Sequence, residues 1–233
     1  MINQFSSGSG QDTQGIASVS RLDQWLDHLA LRASADDKPA VLVSACLLGQ
    51  PVRYDGDDKR HATIADVLPR WLQLRGTCPE TGIGLPVPRP PIDVIETSAG
   101  QRVYGLDGRT ADVTDALRAE TDRLPSNLCG VILKARSPSC GLGNTPLHSP
   151  DGRKIGVTDG AFAARVRERW PALPAVHEEQ LASATDIEVF VLSVYLHRQR
   201  QRWRRDTWPA PLRDAVCALP GDTGARLRAW LAR

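Results

Sequence analysis

Ala40-Val41-Leu42-Val43-Ser44-Ala45 is a continuous apolar run that ends at Cys46, and Gly130-Val131-Ile132-Leu133-Lys134-Ala135 is a second that leads into the loop holding Cys140. Runs of this length without polar alternation are those of strands buried on both faces, as in a parallel sheet covered by helices. The charged, Pro-containing Asp36-Asp37-Lys38-Pro39 precedes the first run and marks the start of the main domain. Upstream, Leu22, Trp25, Leu26 and Leu29 recur at helical spacing behind Ser18 and Ser20, either of which suits an N-cap, so an amphipathic helix is expected. Met1 to about Gly15 is rich in Gly, Ser and Gln and reads as a mobile tail.

Downstream of Cys46 the pattern predicts a helix from about Ile64 to Leu72 and a short strand ending at Thr77. A small hairpin over Arg102 to Thr110, turning at Asp107-Gly108, and a helix from Asp112 to Leu124 follow. Beyond the second apolar run come a Gly- and Pro-rich loop, a helix from about Asp159 to Trp170 and a short strand near Ala175. Strands alternating with helices define an α/β class: a three-layer domain around a mostly parallel sheet, with helical N- and C-terminal extensions. The expected divisions are 1–38, 39–182 and 183–233. In the last, Asp186 to about Arg205 reads as a helix with Ile187, Val191, Val194 and Tyr195 on its apolar side. It ends in the basic run His197 to Arg205, which includes Trp203; such a run is a solvated helix end or, alternatively, an RNA anchor.

The chain of 233 residues is 41% hydrophobic, enough for a proper core without help from metal or disulfides. A formal charge of +2 gives no general attraction to polyanions or anionic membranes, so any basic surface must be local. No apolar stretch approaches a membrane span, and the start lacks the pattern of a signal peptide, so a cytoplasmic location is expected. In a reducing cytosol the five cysteines remain thiols.

Position separates those thiols. Cys46 directly follows the first strand, Cys78 the second, and Cys140 lies just past the strand that begins at Gly130. In open α/β sheets ligands bind beyond the carboxyl ends of the strands, so chain order alone brings these three toward one place. Cys129 and Cys217 lack that context and are assigned to packing. Three thiolates without a fourth suit either zinc, completed by a histidine or water, or a [4Fe-4S] cluster with one open iron. His61, His148 and His177 are the candidates for a fourth ligand, and spacing alone leaves the metal undecided.

The local sequences around these cysteines are distinctive. They are Ser44-Ala45-Cys46-Leu47-Leu48-Gly49, Pro51-Val52-Arg53-Tyr54-Asp55-Gly56, Cys78-Pro79-Glu80, Gly84-Leu85-Pro86-Val87-Pro88-Arg89-Pro90-Pro91, Asp112-Val113-Thr114 and Lys134-Ala135-Arg136-Ser137-Pro138-Ser139-Cys140-Gly141. Together, over roughly Pro39 to Leu181, they closely resemble the DUF523 family, which includes the thiouracil desulfidases. The resemblance implies a single α/β domain in which Cys46, Cys78 and Cys140 hold a [4Fe-4S] cluster, one iron staying free for the sulfur of a small thiolated heterocycle.

Around the ligands, Glu80 is expected as general acid or base, against the plainer role of capping a loop amide. Ser137 and Ser139 are candidates for contact with cluster or substrate, or for satisfying their own loop; Ser137 is preferred for a direct part. Arg53, Tyr54, Asp55 and Lys59 fit a polar wall that orients the heterocycle, although Asp55-Gly56 is also an ordinary turn. The Pro86 to Pro91 run reads as a rigid spacer that turns Arg89 to the pocket. Lys134 and Arg136 would offset the thiolate charge. The expected reaction is non-redox desulfuration of a thiolated base or nucleoside to the oxo compound plus hydrosulfide. Two competing readings are a thiouridine desulfidase acting on tRNA or its fragments, and a zinc-binding module without catalysis.

Overall fold

The computed structural model describes residues 21–105, 107–203 and 208–232. The tail expected over Met1 to Gly15, and Arg204 and Arg205 of the basic run, lie outside the described residues.

The two apolar runs are the two central strands. β1 (Ala40–Ser44) pairs in parallel with β2 (Gln73–Thr77) on one side and with β5 (Leu128–Leu133) on the other, and β5 pairs in parallel with β8 (Ala175–His177). The order is β2-β1-β5-β8, all parallel, and every residue of β1 and β5 is buried. Alternate side chains feed two cores, as the period of two demands. Val41, Val43 and Ile132 pack with Leu22, Trp25 and Leu26 of α1 (residues 21–28) and with Phe190, Val191 and Val194 of α5 (Ala184–Trp203). Leu42, Val131 and Leu133 pack on the opposite face with Phe162, Ala163 and Val166 of α4 (Ala161–Arg169). Helices on both faces of a parallel sheet give the three layers that the sequence predicts.

A second sheet was not expected. β3 (Asp93–Thr97), β4 (Gly100–Tyr104), β6 (Thr145–His148) and β7 (Lys154–Thr158) run in the order β4-β3-β6-β7, with only the β3–β6 pair parallel. Its apolar face, Val94, Val103 and Leu147, closes on Leu117 of α3 (Thr114–Ala119). The hairpin placed at Arg102 to Thr110 is corrected: it is formed by β3 and β4 and turns at Ser98-Ala99. There the Thr97 hydroxyl donates to the Gly100 carbonyl at 2.7 Å and accepts from the Ala99 N–H, and Gly100 supplies the left-handed backbone at φ 90°. Asp107-Gly108 does turn the chain, but the returning segment pairs differently. The Thr114 hydroxyl accepts the Val103 N–H at 2.7 Å, and Val113 N–H donates to the Val103 carbonyl at 2.9 Å, leading straight into α3. The helix expected over Ile64 to Leu72 is a wide π-helical turn, Thr63–Val67, followed by a 3-10 turn, Leu68–Arg70, because Pro69 has no N–H to continue an α-helical ladder.

After β8 the chain forms α5, α6 (Ala210–Cys217) and α7 (Gly221–Leu231). Glu188 of α5, only 1% exposed, accepts the Arg21 guanidinium at 2.9 and 3.0 Å and the Thr223 hydroxyl at 2.8 Å. One buried carboxylate thus joins α1, α5 and α7, and its charge is satisfied from both ends of the chain. The basic run on α5 is not a uniform solvated face: His197 is buried, and Arg198 and Arg202 both hold Asp37. Cys129 lies inside β5 and is buried, as a packing role requires, whereas Cys217, also assigned to packing, ends α6 exposed. Among the described residues no helix is long and apolar enough to cross a membrane.

α5 approaches β5 closely at Gly130, where an added Cβ would lie 2.8 Å from Val194 Cγ2 and 3.3 Å from the Pro174 carbonyl oxygen. Gly130→Ala should therefore lower unfolding stability by about 1–3 kcal/mol, the usual cost of overpacking, read as a reduced urea midpoint at unchanged slope.

Candidate active site: a three-thiol cleft

Parallel pairing puts three strand exits side by side. Ser44 pairs with Thr77 and Val43 with Ile132, so the chain segments that follow β1, β2 and β5 leave the sheet at one rim. Cys46 stands in the 3-10 turn Ala45–Leu48, which Gly49 closes in the left-handed region at φ 85°. Its carbonyl accepts the Lys59 N–H at 3.0 Å, which ties this turn to the loop carrying Arg53 and Tyr54. Cys78 immediately precedes the short helix α2 (Pro79–Gly82), whose first turn carries Glu80.

The Cys140 loop is held on two sides. From within, the Ser137 hydroxyl oxygen accepts the N–H groups of Ser139 at 3.2 Å and Cys140 at 3.1 Å. From α4 and its N-cap, the N–H groups of Gly160, Ala161 and Ala163 donate to the carbonyls of Gly141, Pro138 and Ser139 at 2.8, 3.0 and 3.1 Å. This contact demands glycine at 160, where a Cβ would lie 2.5 Å from the Ser139 carbonyl carbon.

These three segments enclose a cleft of about 510 Å³ lined by Cys46, Cys78 and Cys140 together with Glu80, Arg53, Tyr54, Arg89 and Ser137. With Lys59, Lys134 and Arg136, which also line it, eleven residues singled out in the sequence share this cleft. Two others stand behind it. Asp55 is outside the lining and pairs with Arg53 at 2.9 Å, fixing the guanidinium, which lies 5.4 Å from the Tyr54 ring centroid. Ser139 is fully buried and donates its hydroxyl to Glu80 Oε1 at 2.8 Å.

Arg89 faces the cleft wall but is aimed at Glu80. Its Nε donates to Glu80 Oε2 at 2.8 Å, and its remaining nitrogens donate to the carbonyls of Pro86 at 3.2 Å and Val52 at 3.0 Å. Val52 also accepts the Cys78 thiol at 3.7 Å, and Arg89 N–H donates to the Tyr54 carbonyl at 2.8 Å. One buried guanidinium thus joins the loop of Tyr54, the Cys78 turn and the Glu80 carboxylate.

Reasoning from sequence missed Ser44 and Glu178. The Ser44 hydroxyl accepts the Lys134 N–H at 2.9 Å at the exit of β5. The buried Glu178 accepts the Ala135 N–H at 2.7 Å and pairs with the Lys134 ammonium. Its only sequence signal was a carboxylate directly after a short strand, a weak one.

Cys46 and Cys140 are in an environment that disfavours their charge. Burial pushes Cys46 up to about 11, reinforced by the neighbouring Cys78 and opposed by Lys134 and Arg53. Burial also drives Cys140 strongly upward, against the Ser44 hydroxyl beside it, with Cys78, Glu80 and Cys46 all adding to the rise. The three sulfurs therefore feel one another, and thiolates here need a positive partner. Among the described residues, no three His, Cys, Asp or Glu side chains are disposed to hold a single metal ion. His61, His148 and His177 do not line the cleft.

An α/β scaffold that gathers reduced thiols and a guanidinium-held carboxylate beyond parallel strands defines an enzyme whose chemistry is centred on sulfur. Comparison with known proteins makes the class specific. Residues 41–178 match the model of the 2-thiouracil desulfurase family. The chain is 30% identical over 142 residues to the uncharacterized protein YbbK of Bacillus subtilis strain 168, covering 55% of this chain and 89% of YbbK. A solved structure described as the [4Fe-4S]-dependent thiouracil desulfidase TudS is 34% identical, with a TM-score of 0.49, over 62% of this chain and 94% of that one. The chain belongs to the 2-thiouracil desulfurase family.

The clamp on the Cys140 loop is open to a direct test. Gly160→Ala should displace the loop and speed alkylation of the Cys140 thiol by iodoacetamide, followed by peptide mass spectrometry. Stability should fall by about 1–3 kcal/mol at the same time.

Proposed function

We propose that this protein removes sulfur from a thiolated pyrimidine base or nucleoside by a [4Fe-4S]-dependent hydrolysis with no net electron transfer, releasing the oxo compound and hydrosulfide. The observation that carries the reading is the convergence of three reduced thiols from three strand exits on one cleft with a buried, ion-paired glutamate. The donor set fits the cofactor. A cluster asks only that each sulfur reach its own iron, and its positive charge supplies what the buried thiols lack for ionisation. Cys46, Cys78 and Cys140 would hold it; no histidine lines the cleft to fill a fourth position. When bound, an iron without a protein ligand supplies Lewis-acid affinity for the substrate's sulfur.

The chain's own residues do the rest. Tyr54, 44% exposed at the mouth, offers a ring face to the heterocycle, and Arg53, steadied by Asp55, sets its orientation. Glu80 takes the part of the base, its carboxylate held at the cleft by Arg89 and Ser139, which both donate to its oxygens. A carboxylate has about four lone-pair sites, so it still accepts a proton from the water that attacks the carbon of the C=S group. Oxygen then replaces sulfur at that carbon, and the C–S electron pair leaves with the sulfur. Arg89 and Ser139, expected to touch substrate, are assigned instead to holding Glu80. Ser137 keeps a hydroxyl hydrogen free for a contact in the cleft while its oxygen accepts the two loop N–H groups. Lys134, tethered by Glu178, offsets negative charge near Cys46.

Two variants separate cofactor from chemistry. Cys140→Ala should lose bound iron, visible absorption and hydrosulfide release together after anaerobic reconstitution. Glu80→Gln should keep iron and colour while turnover on 2-thiouracil falls about 10²- to 10⁴-fold, the usual share of a general base. An iron-free Cys140→Ala protein that still releases hydrosulfide would refute the scheme.

A further inference from the structure

A second cavity, of about 850 Å³, exceeds the thiol cleft in size and has no part in the chemistry above. It runs along β8 between the α4-to-β8 connection, α5 and α7. Trp170, Trp208 and Trp230 line it, the last two with ring centroids 5.8 Å apart at 54°. Three guanidiniums, those of Arg167, Arg200 and Arg226, share this lining with a single carboxylate, Asp186. We propose that the groove binds single-stranded nucleic acid, its bases on the indoles and its phosphates on the arginines. On the desulfidase reading, on which this last step rests, the strand presents a thiolated nucleotide to the neighbouring cleft.

Each element of the lining suits that ligand. Every base has a π face, so the solvent-facing parts of partly buried Trp208 and Trp230, and of Trp170 with the Arg169 guanidinium 4.7 Å from its centroid, suit unpaired bases of any sequence, and guanidiniums track the backbone. Arg167 is held by Asp159, and Arg226 by Asp186 and Asp222, contacts that fix the side chains yet leave further N–H groups for phosphate oxygens. Arg200 has no ion-pair partner among the described residues. Asp159, Asp186 and Asp222 match the three guanidiniums in number, so the positive charge left for a phosphate is centred on Arg200. A bound peptide would use the apolar walls but gives no reason for three guanidiniums. A duplex keeps its bases stacked on each other.

Position links groove and cleft. Ala175 and Val176 line the groove, and His177 pairs with Leu133, the residue before cleft-lining Lys134. Ala175 pairs with Val131, three residues before Lys134, so this end of the groove lies roughly 10 Å from the cleft along the strand direction, with Trp170 and Arg200 toward its far end. The turn Glu178–Gln180 divides them: Glu178 and Glu179 hold Lys134 and Arg136 of the cleft, and Gln180 lines the groove. The family match stops at residue 178, so Arg200, Trp208, Arg226 and Trp230 all belong to the part of the chain beyond it.

The test is fluorescence anisotropy of the full-length chain with a labelled, sulfur-free decauridylate strand. Binding should weaken with salt at a log–log slope near about −2, as expected for three phosphate contacts at about −0.7 each. Arg200→Ala and Trp170→Ala should each weaken it about tenfold, within the range for losing one phosphate or stacking contact. Hydrosulfide release from free 2-thiouracil should be unchanged in Arg200→Ala. Wild-type affinity in both variants, equal affinity for a duplex of the same length, or a groove found buried between two copies by sedimentation and cross-linking would each overturn the proposal. Because the probe has no sulfur, strand binding by a reconstituted chain that releases no hydrosulfide from 2-thiouracil would count against the desulfidase reading alone.

Discussion

Everything at the site depends on β1 having parallel partners on both flanks. Parallel neighbours end at the same rim, so one register, Ser44 opposite Thr77 and Val43 opposite Ile132, aligns three chain exits that are distant in sequence. An antiparallel partner on either side would send one cysteine to the far end of the sheet. The burial of both faces of β1 and β5, which makes this pairing stable, also forces polar function out to the loops beyond the strands. Fold and chemistry here come from the same constraint.

The second layer of control is the treatment of buried charge. Glu80, Arg89, Glu178 and Glu188 are each nearly inaccessible, and each has charge-assisted partners. Arg89 is the busiest, because its guanidinium and N–H together touch three cleft segments. Removing such a group leaves its partners desolvated and unpaired, at a cost of about 3–5 kcal/mol. The cleft walls are thus tied to one another through charge-assisted hydrogen bonds that do not depend on a ligand.

Much of this was legible in the sequence, for identifiable reasons. Ala40 to Ser44 and Gly130 to Leu133 carry an unambiguous signal because a doubly covered strand tolerates no polar alternation, and thiols placed just after such runs point to one rim. The second sheet was not legible. β3 mixes Asp93 and Glu96 with Val94 and Ile95, β6 contains Pro146, and β7 includes Gly156, so no periodicity rises above that of a loop. Asp107-Gly108 marked a true turn, but a turn signal does not reveal which strand the returning chain will meet. Side-chain aim was hidden too. Arg89 and Ser139 sit in motifs shared with the family, and only the folded chain shows that both point at Glu80.

Glu188 gives the two ends of this molecule a common fate. Its carboxylate lies in α5 and takes its partners from Arg21, ahead of the family-matched segment, and from Thr223, behind it. Loss of Arg21 alone would leave the buried Glu188 carboxylate with only the Thr223 hydroxyl as partner, whereas Arg21, half-exposed, would keep its contact with water if Glu188 were lost. The helices on either side of the family-matched segment are thus fastened to one another through a single buried carboxylate.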